Sequence, residues 1–335
     1  MKIGNLDISA FKVGTSDCAI YLGTIKLYPS DEPTPTFDGK WKLTLSDGST
    51  VSAECDSTSA ITSAETSSYS ASTVSAVIGN CVTTIGDSAF YQCSGLTSVR
   101  IPNSVTSIGG YAFRECRGLT SIDIPSGVTS IGSSAFEGCR GLIRIDIPNG
   151  VTKISDGVFQ YSYGLTSVTI PSGVTSIGNS AFNSCSGLTS IDIPSGVTSI
   201  GSSAFSYCRS LSSITIPSGV TNIGSRTFNN CSGLTSITIP SGVTRIGIQA
   251  FQYCSGLTSV NIPSGVTSIG GRAFENCTSL TSITVNATTP PTLSTAVFDN
   301  TNDCPIYVPS ESVATYQAAS GWSTYATRIQ AIPSS

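Results

Sequence analysis

Cysteine has the most reactive side chain in this sequence, and most of its cysteines recur at multiples of 23 residues. Thiols at such a spacing could pack as small buried hydrophobes, form disulfides between neighbouring repeats, or bind zinc. The series consists of Cys93, Cys116, Cys139, Cys185, Cys208, Cys231, Cys254 and Cys277, with Ser162 at its one gap.

We predict buried free thiols for this series. Parallel Cβ vectors in neighbouring repeats would force a disulfide to distort the backbone. Zinc is disfavoured because the chain has no His and no CxxC pair, and because thiols in a column do not surround a point. Cys18, Cys55, Cys81 and Cys304 fall outside the series, and the sequence does not pair them. The N-terminus lacks the apolar region of a secretory signal, so we expect reduced cysteines.

Enzymatic chemistry has little support in the residue types. Without His, a Ser-His-Asp arrangement and His-ligated metal sites are excluded. The glycines follow the repeat and do not form a phosphate-binding loop between a strand and a helix. We therefore predict no catalytic residue, no metal and no cofactor.

These residues are spaced by a repeat, Leu-Thr-Ser-Ile-x-Ile-Pro-x-x-Val-Thr-x-Ile-Gly-x-x-Ala-Phe-x-x-Cys-x-x. In the unit 119–141, alternating Ile122 and Ile124 predict a strand that Pro125 ends. Residues 128–131 predict a second short strand, and Gly132 is expected to adopt a conformation that a β-carbon would penalise. The rest of the unit predicts one tight helical turn with three side chains facing inward. These are Ala135, Phe136 and Cys139.

A fixed period of this length predicts a solenoid, because one coil cannot bury both of its faces and neighbouring coils can. We divide the chain into a small β segment with a linker (1–36), an N-terminal cap (37–72), repeats (73–285) and a C-terminal cap (286–335). In the first cap, residues 42–45 and 51–54 predict a hairpin. In the last, residues 310–319 predict a short helix with Trp322 packed beneath it.

The Ile-Pro, Val-Thr-x-Ile-Gly and Ala-Phe-x-x-Cys signatures over about residues 73–300 resemble the BspA-like leucine-rich repeats of bacterial surface proteins. The resemblance implies a right-handed array with a parallel sheet on the concave face and short helical turns. It also implies non-enzymatic binding to host proteins or other cells at the cell surface. The matching residues are structural, so the resemblance assigns no binding residue.

Two outward-facing groups are the candidate partner-binding residues. One lies on the main strands and the other follows the repeated phenylalanines in alternate coils. A solvated salt-bridge cluster is the alternative for the first group, and ordinary surface packing is the alternative for the second. The first comprises Arg100, Asp123, Arg144, Asp146 and Asp192; the second comprises Tyr161, Tyr207 and Tyr253.

Charge and hydropathy narrow the class of partner. A net charge of −4 argues against nucleic acid, and no apolar run is long enough to insert into a membrane. We expect an adhesion or recognition module that binds a protein or cell-surface ligand. The alternative is a phage virion or tail-associated protein whose N-terminal segment attaches to a larger assembly and which lysis releases. An intracellular scaffold is the third hypothesis.

Overall fold

The computed structural model of the chain describes residues 11–13, 20–22, 25–26 and 37–333, with side chains described from residue 37 onward. The chain divides into two compact units, residues 1–37 and 38–335. In the first unit, strands Phe11–Val13, Ile20–Leu22 and Ile25–Lys26 pair antiparallel. The expected linker at residues 31–36 and Cys18 lie outside the described residues.

The second unit is a stack of coils that contains two columns of parallel strands. Neighbouring strands pair at an offset of 23 residues, as in Arg144↔Ser167 and Ser107↔Ser130. The main column comprises Thr73–Ile78, Ser98–Arg100, Arg144–Asp146, Ser167–Thr169, Ser259–Ile262, Ser282–Val285, Ile306–Val308 and Ile329–Ala331. Isolated bridges join Thr215, Thr238 and Asn261 in this column.

The second column is built from the Val-Thr-x-Ile segment of each coil. Its strands are two residues long, with a buried second residue in most coils because that side chain points into the stack. They are Ala60–Ile61, Thr84–Ile85, Ser107–Ile108, Ser130–Ile131, Lys153–Ile154, Ser176–Ile177, Ser199–Ile200, Asn222–Ile223, Arg245–Ile246, Ser268–Ile269 and Thr292–Leu293. The parallel solenoid predicted from the repeat is confirmed.

The core is a continuous stack of phenylalanine rings. From Phe90 to Phe298, successive rings lie 5.1–5.8 Å apart between centroids and within 21° of parallel. Each ring is fully buried, so the stack combines burial with aromatic contact. The leucine and cysteine series run beside it, and every cysteine of the repeated series is a buried free thiol, as predicted.

The segment around each phenylalanine is a series of turns in which residues with a left-handed φ lie between residues with a negative φ. We call the eight residues that begin two before each phenylalanine the turn segment. Ser134 and Gly138 have φ of 55° and 70°, and Ala135, Phe136 and Cys139 are buried as predicted. Phe136 N–H donates to Val158 of the next coil, whereas Cys139 N–H donates back to Phe136. The segment is therefore not the regular helical turn that the sequence predicts, because left-handed residues direct every second N–H to the next coil.

Close backbone contact explains the glycine that follows most of the short strands; Ser155 takes this position after Lys153–Ile154. A Cβ on Gly132 would lie 2.4 Å from the backbone nitrogen of Gly110, one coil earlier. The φ of Gly132 is not in the left-handed region, so close approach, and not backbone conformation, requires glycine here.

An antiparallel hairpin closes the N-terminal end, as predicted. Strands Trp41–Leu45 and Thr50–Ala53 form it, and Trp41–Leu45 also pairs antiparallel with Thr73–Ile78. The α-helix Ser63–Thr66 and the 3₁₀ helix Ser67–Tyr69, which the sequence analysis did not predict, follow. Lys40 is 1% exposed, and its ammonium donates to Asp56 (3.0 Å) and Glu65 (2.8 Å).

A disulfide in the same region corrects the expectation of reduced cysteines. Cys55 and Cys81 are bonded, with their α-carbons 6.2 Å apart. The hairpin brings the chain after strand Thr50–Ala53 against the turn after strand Thr73–Ile78, within bridging distance. This pair was not predicted, because both cysteines lie outside the 23-residue series and are 26 residues apart.

Aromatic residues and a short helix cover the C-terminal end, also as predicted. The 3₁₀ helix Ser310–Ser312, the α-helix Val313–Ala318 and the 3₁₀ helix Ser323–Arg328 follow the last coils. Trp322 is fully buried, 5.8 Å from the Phe298 ring and 4.7 Å from Tyr316, and its Nε1 donates to the Pro291 carbonyl. The last phenylalanine therefore has an aromatic cover in place of another coil.

Candidate functional site

The predicted tyrosines lie at one position of the turn segment, two residues after the buried phenylalanine. Tyr161, Tyr207 and Tyr253 have φ of 61° and are 39%, 40% and 45% exposed. The residue after each one points inward as Ser162, Cys208 or Cys254. The tyrosine side chains are therefore held on the surface by a backbone that is anchored in the core by the residue after each tyrosine and by the phenylalanine two residues before it.

Further exposed tyrosines on the turn segments were missed by the sequence analysis. Tyr91, Tyr111 and Tyr163 are 36%, 43% and 41% exposed. They occupy three different positions relative to the phenylalanine, so they do not form a periodic series. Counting all tyrosines from the nearest repeated phenylalanine, and not only those at one position, would have found them.

The guanidinium groups of three arginines lie over exposed tyrosine rings. The Arg114 guanidinium carbon lies 5.7 Å from the Tyr91 centroid and 5.4 Å from that of Tyr111. Arg140 lies 5.4 Å from Tyr163, and Arg209 lies 5.7 Å from Tyr207. These distances allow cation–π attraction.

We call this surface the Tyr–Arg strip. It runs along one edge of the coil stack, because all its members belong to turn segments, although segments 180–187 and 226–233 contribute none. Its residues are Tyr91, Tyr111, Arg114, Arg140, Tyr161, Tyr163, Tyr207, Arg209 and Tyr253.

On the main strands, the structure brings together only part of the predicted charged group. Arg144 donates to Asp146 at 3.0 Å, and the Thr169 hydroxyl donates to the same oxygen at 2.5 Å. These two hydrogen bonds, that of Thr169 first, lower the pKa of Asp146. Both members of the ion pair are more than half exposed.

The other charged candidates on the main strands form no ion pair with Arg144 or Asp146 in the described part of the chain. Asp123 and Asp192 are exposed, and Arg100 is half-buried. Within the described part of the chain, none of the three joins a salt bridge. Of the five charged candidates, only Arg144 and Asp146 are therefore ion-paired in the described part of the chain.

The buried thiols donate hydrogen bonds to backbone carbonyls of the preceding coil. Cys208 Sγ donates to the Phe182 carbonyl of the preceding coil at 3.2 Å, and Cys231 makes the same bond to Phe205 at 3.1 Å. Burial raises the pKa of these thiols, to about 12 for Cys277. They are protonated near neutral pH and are therefore poor nucleophiles and metal ligands. In residues 37–333, no group of three or more His, Cys, Asp or Glu side chains is placed to hold a metal ion.

None of the helices in the described part of the chain combines the length and apolarity needed to cross a bilayer.

Comparison with known proteins identifies the repeat. A family model described as the BspA type leucine rich repeat region matches residues 62–189 and 175–304. No curated protein matches the sequence.

The chain is similar to several solved bacterial proteins. A leucine rich cell surface protein from Faecalibacterium prausnitzii is 28% identical with a TM-score of 0.49, over 91% of this chain and 100% of that one. A leucine-rich repeat protein from Bacteroides ovatus is 26% identical with a TM-score of 0.46, over 77% of this chain and 83% of that one. One from T. pallidum is 28% identical with a TM-score of 0.40, over 55% and 78%.

The family model spans most of the chain, and its repeat is the one that forms the phenylalanine and cysteine stacks described above. The chain belongs to the BspA-type leucine-rich repeat family.

Proposed function

We propose that this chain is a non-enzymatic recognition module that binds a protein on a cell surface through the exposed tyrosines of its turn segments. The observation that carries this proposal is the exposure of Tyr161, Tyr207 and Tyr253 at one repeated position. Each leaves about two fifths of its residue surface exposed, and this position has a left-handed φ in all nine coils, so the backbone directs the three rings alike.

These tyrosines add little to the core, since the phenylalanine and leucine series already fill it. Their rings also lie on a rigid support, because the backbone around them bonds to the next coil. Rigid exposed tyrosines are typical anchors of protein interfaces, since they bring a large contact area at a small cost in conformational entropy. The fold supports the same conclusion, because leucine-rich repeat solenoids present extended surfaces to partners.

Cell adhesion tests the proposal directly. Beads that carry the purified chain would be incubated with cultured animal cells and with bacterial cells, before and after protease treatment of the cell surface. We expect the beads to adhere to at least one cell type, and adhesion to fall to the level of albumin-coated beads after protease treatment.

Two variants identify the surface used. In the first, Tyr161, Tyr207 and Tyr253 are replaced by Asn, which tolerates a left-handed φ. The matched control replaces Ser167, Ser213 and Ser259, exposed on the main strand column, by Asn. We expect only the tyrosine variant to lose adhesion. Adhesion equal to that of albumin beads for the unmodified chain, or equal adhesion by the two variants, contradicts the proposal.

A further inference from the structure

The turn segments are a basic surface on an acidic protein. The whole chain has a net charge of −4. The nine turn segments from 88–95 to 272–279 nevertheless contain twice as many arginines as acidic residues, and no aspartate or lysine. Their charged residues are Arg114, Arg117, Arg140, Arg209, Arg226 and Arg272, with Glu115, Glu137 and Glu275.

Each glutamate of this surface forms a salt bridge with an arginine of the same surface. Glu137 lies 2.9 Å from Arg114, and Glu115 lies 2.7 Å from Arg117. Glu275 lies 3.9 Å from Arg272.

Two of the remaining arginines, Arg140 and Arg209, are exposed and place their guanidinium carbons over tyrosine rings. Within residues 37–333, neither forms a salt bridge. Cation–π attraction restrains such a side chain, and its N–H groups can bind a carboxylate in a bidentate manner. The strip therefore presents two exposed guanidinium groups that no described carboxylate neutralises.

The separation of these arginines suits an extended peptide. Arg140 and Arg209 hold the same position in coils that are three repeats apart. At about 4.8 Å per coil this is about 14 Å, which an extended chain covers in about four residues. Tyr161, Tyr163 and Tyr207 lie in the coils between and beside them, with Tyr161 and Tyr163 6.3 Å apart.

We infer that the Tyr–Arg strip between Arg140 and Arg209 binds an acidic polypeptide segment in extended conformation, with carboxylates about four residues apart. This inference rests on the proposed function and names the chemistry of the partner. The charge of the strip carries it, because an exposed positive surface on a negative protein selects a negative partner.

Fluorescence anisotropy with a designed peptide tests the inference. The probe is a fluorescein-labelled peptide of about twelve residues in Gly and Ser, with Glu at every fourth position to match the ~14 Å separation. The control peptide has Gln in place of each Glu. We expect saturable binding of the Glu peptide that weakens with added salt, and at least about tenfold weaker binding of the Gln peptide.

A pair of variants with equal charge change locates the site. Arg140→Gln with Arg209→Gln should weaken binding of the Glu peptide by about tenfold. Lys153→Gln with Arg245→Gln removes two positive charges from exposed positions of the short strand column and should change it by less than about twofold. Equal losses in the two variants, or no binding of the Glu peptide, overturn the inference.

Two further outcomes would assign the strip to another occupant. Dextran sulfate of similar length and charge that binds more tightly than the Glu peptide would indicate a sulfated polysaccharide. A dimer in light scattering that is lost only in the Arg140/Arg209 variant would indicate a second copy of this chain. Either result overturns the inference. The two proposals can fail separately. If bead adhesion depends on the tyrosines and is lost after protease treatment, but the Glu peptide does not bind, this inference is wrong and the proposed function stands.

Discussion

Ser162 donates a hydrogen bond to the carbonyl of Phe136 at 2.9 Å, the bond that cysteines make at this position in the other coils. Cys185, for example, donates to Phe159 at 3.1 Å. The one gap in the cysteine series is therefore filled by a residue that keeps the same donor in the same place. This position therefore requires a small buried side chain that donates a hydrogen bond to the preceding coil.

This relationship predicts the effect of changing Ser162. Ser162→Ala should destabilise the chain by about 1 kcal/mol, because it removes a buried hydrogen bond. Ser162→Cys should be neutral or stabilising, since the thiol donates the same bond and is less polar. Denaturant midpoints measure both, with the exposed-site change Ser121→Ala as control. A larger loss for the cysteine variant than for the alanine variant would contradict this role.

Phe182 should be among the most costly single truncations. Its ring lies between Phe159 at 5.5 Å and Phe205 at 5.3 Å and is fully buried. Phe182→Ala should cost about 3–5 kcal/mol, because it leaves a cavity between two coils. Thermal or denaturant unfolding measures this, and Thr189→Ala at an exposed site is the control. A loss under about 1 kcal/mol would mean that the stack contributes little.

The charged group on the main strands should contribute little to stability. Asp146 and Arg144 are both more than half exposed, and Asp123 is exposed and outside any described salt bridge. Exposed pairs of this kind contribute roughly 0–1 kcal/mol. Replacing Asp123 and Asp146 together by Ser should therefore shift the melting temperature by less than about 4 °C. A larger fall would show that this corner stabilises the fold.

The buried thiols predict a loss of stability at alkaline pH. Burial raises the pKa of Cys277 from 9.0 to about 12, so in this range the unfolded chain loses the thiol proton before the folded chain does. Stability from this group is complete below about pH 9 and is lost as the pH rises toward 12, because deprotonation favours the unfolded state. Between pH 8 and 10 the loss should be about 1.4 kcal/mol per thiol.

Cys277→Ser supplies the matched control for this effect, since its hydroxyl does not ionise in the range. Urea midpoints at pH 8 and 10 in deoxygenated buffer should fall less for the serine variant than for the unmodified chain. Equal falls would mean that thiol ionisation does not drive the alkaline transition.

The repeat made most of the fold predictable, and the exceptions lie where the repeat changes or ends. Phe136 and Cys139 were placed inward because every coil has the same residue there. Phe298 follows Phe274 by one residue more than the usual interval, so Cys304 takes the leucine position: its N–H donates to Thr301, as that of Leu280 donates to Cys277.

The candidate site was less predictable, because part of it does not follow the repeat. Tyr161, Tyr207 and Tyr253 formed a visible series, but the contact of Arg140 with Tyr163 joins unlike residues in successive coils. A search for repeated residues does not detect such a pair. The hairpin was predicted, but the Cys55–Cys81 bond was not, because the two cysteines are 26 residues apart and do not belong to the 23-residue series.

Two glycines in one coil give the sharpest test of the close contact between coils. A Cβ on Gly132 would meet the backbone nitrogen of Gly110 at 2.4 Å, whereas on Gly127 the nearest atom would be the Asn103 carbonyl oxygen at 3.4 Å. Gly132→Ala should cost about 1–3 kcal/mol or more, because two coils must separate. Gly127→Ala should change stability by less than about 1 kcal/mol, since the methyl group has ordinary contacts. Denaturant unfolding compares the two variants, and equal losses would show that close contact between coils does not set the cost of a methyl group at these glycines.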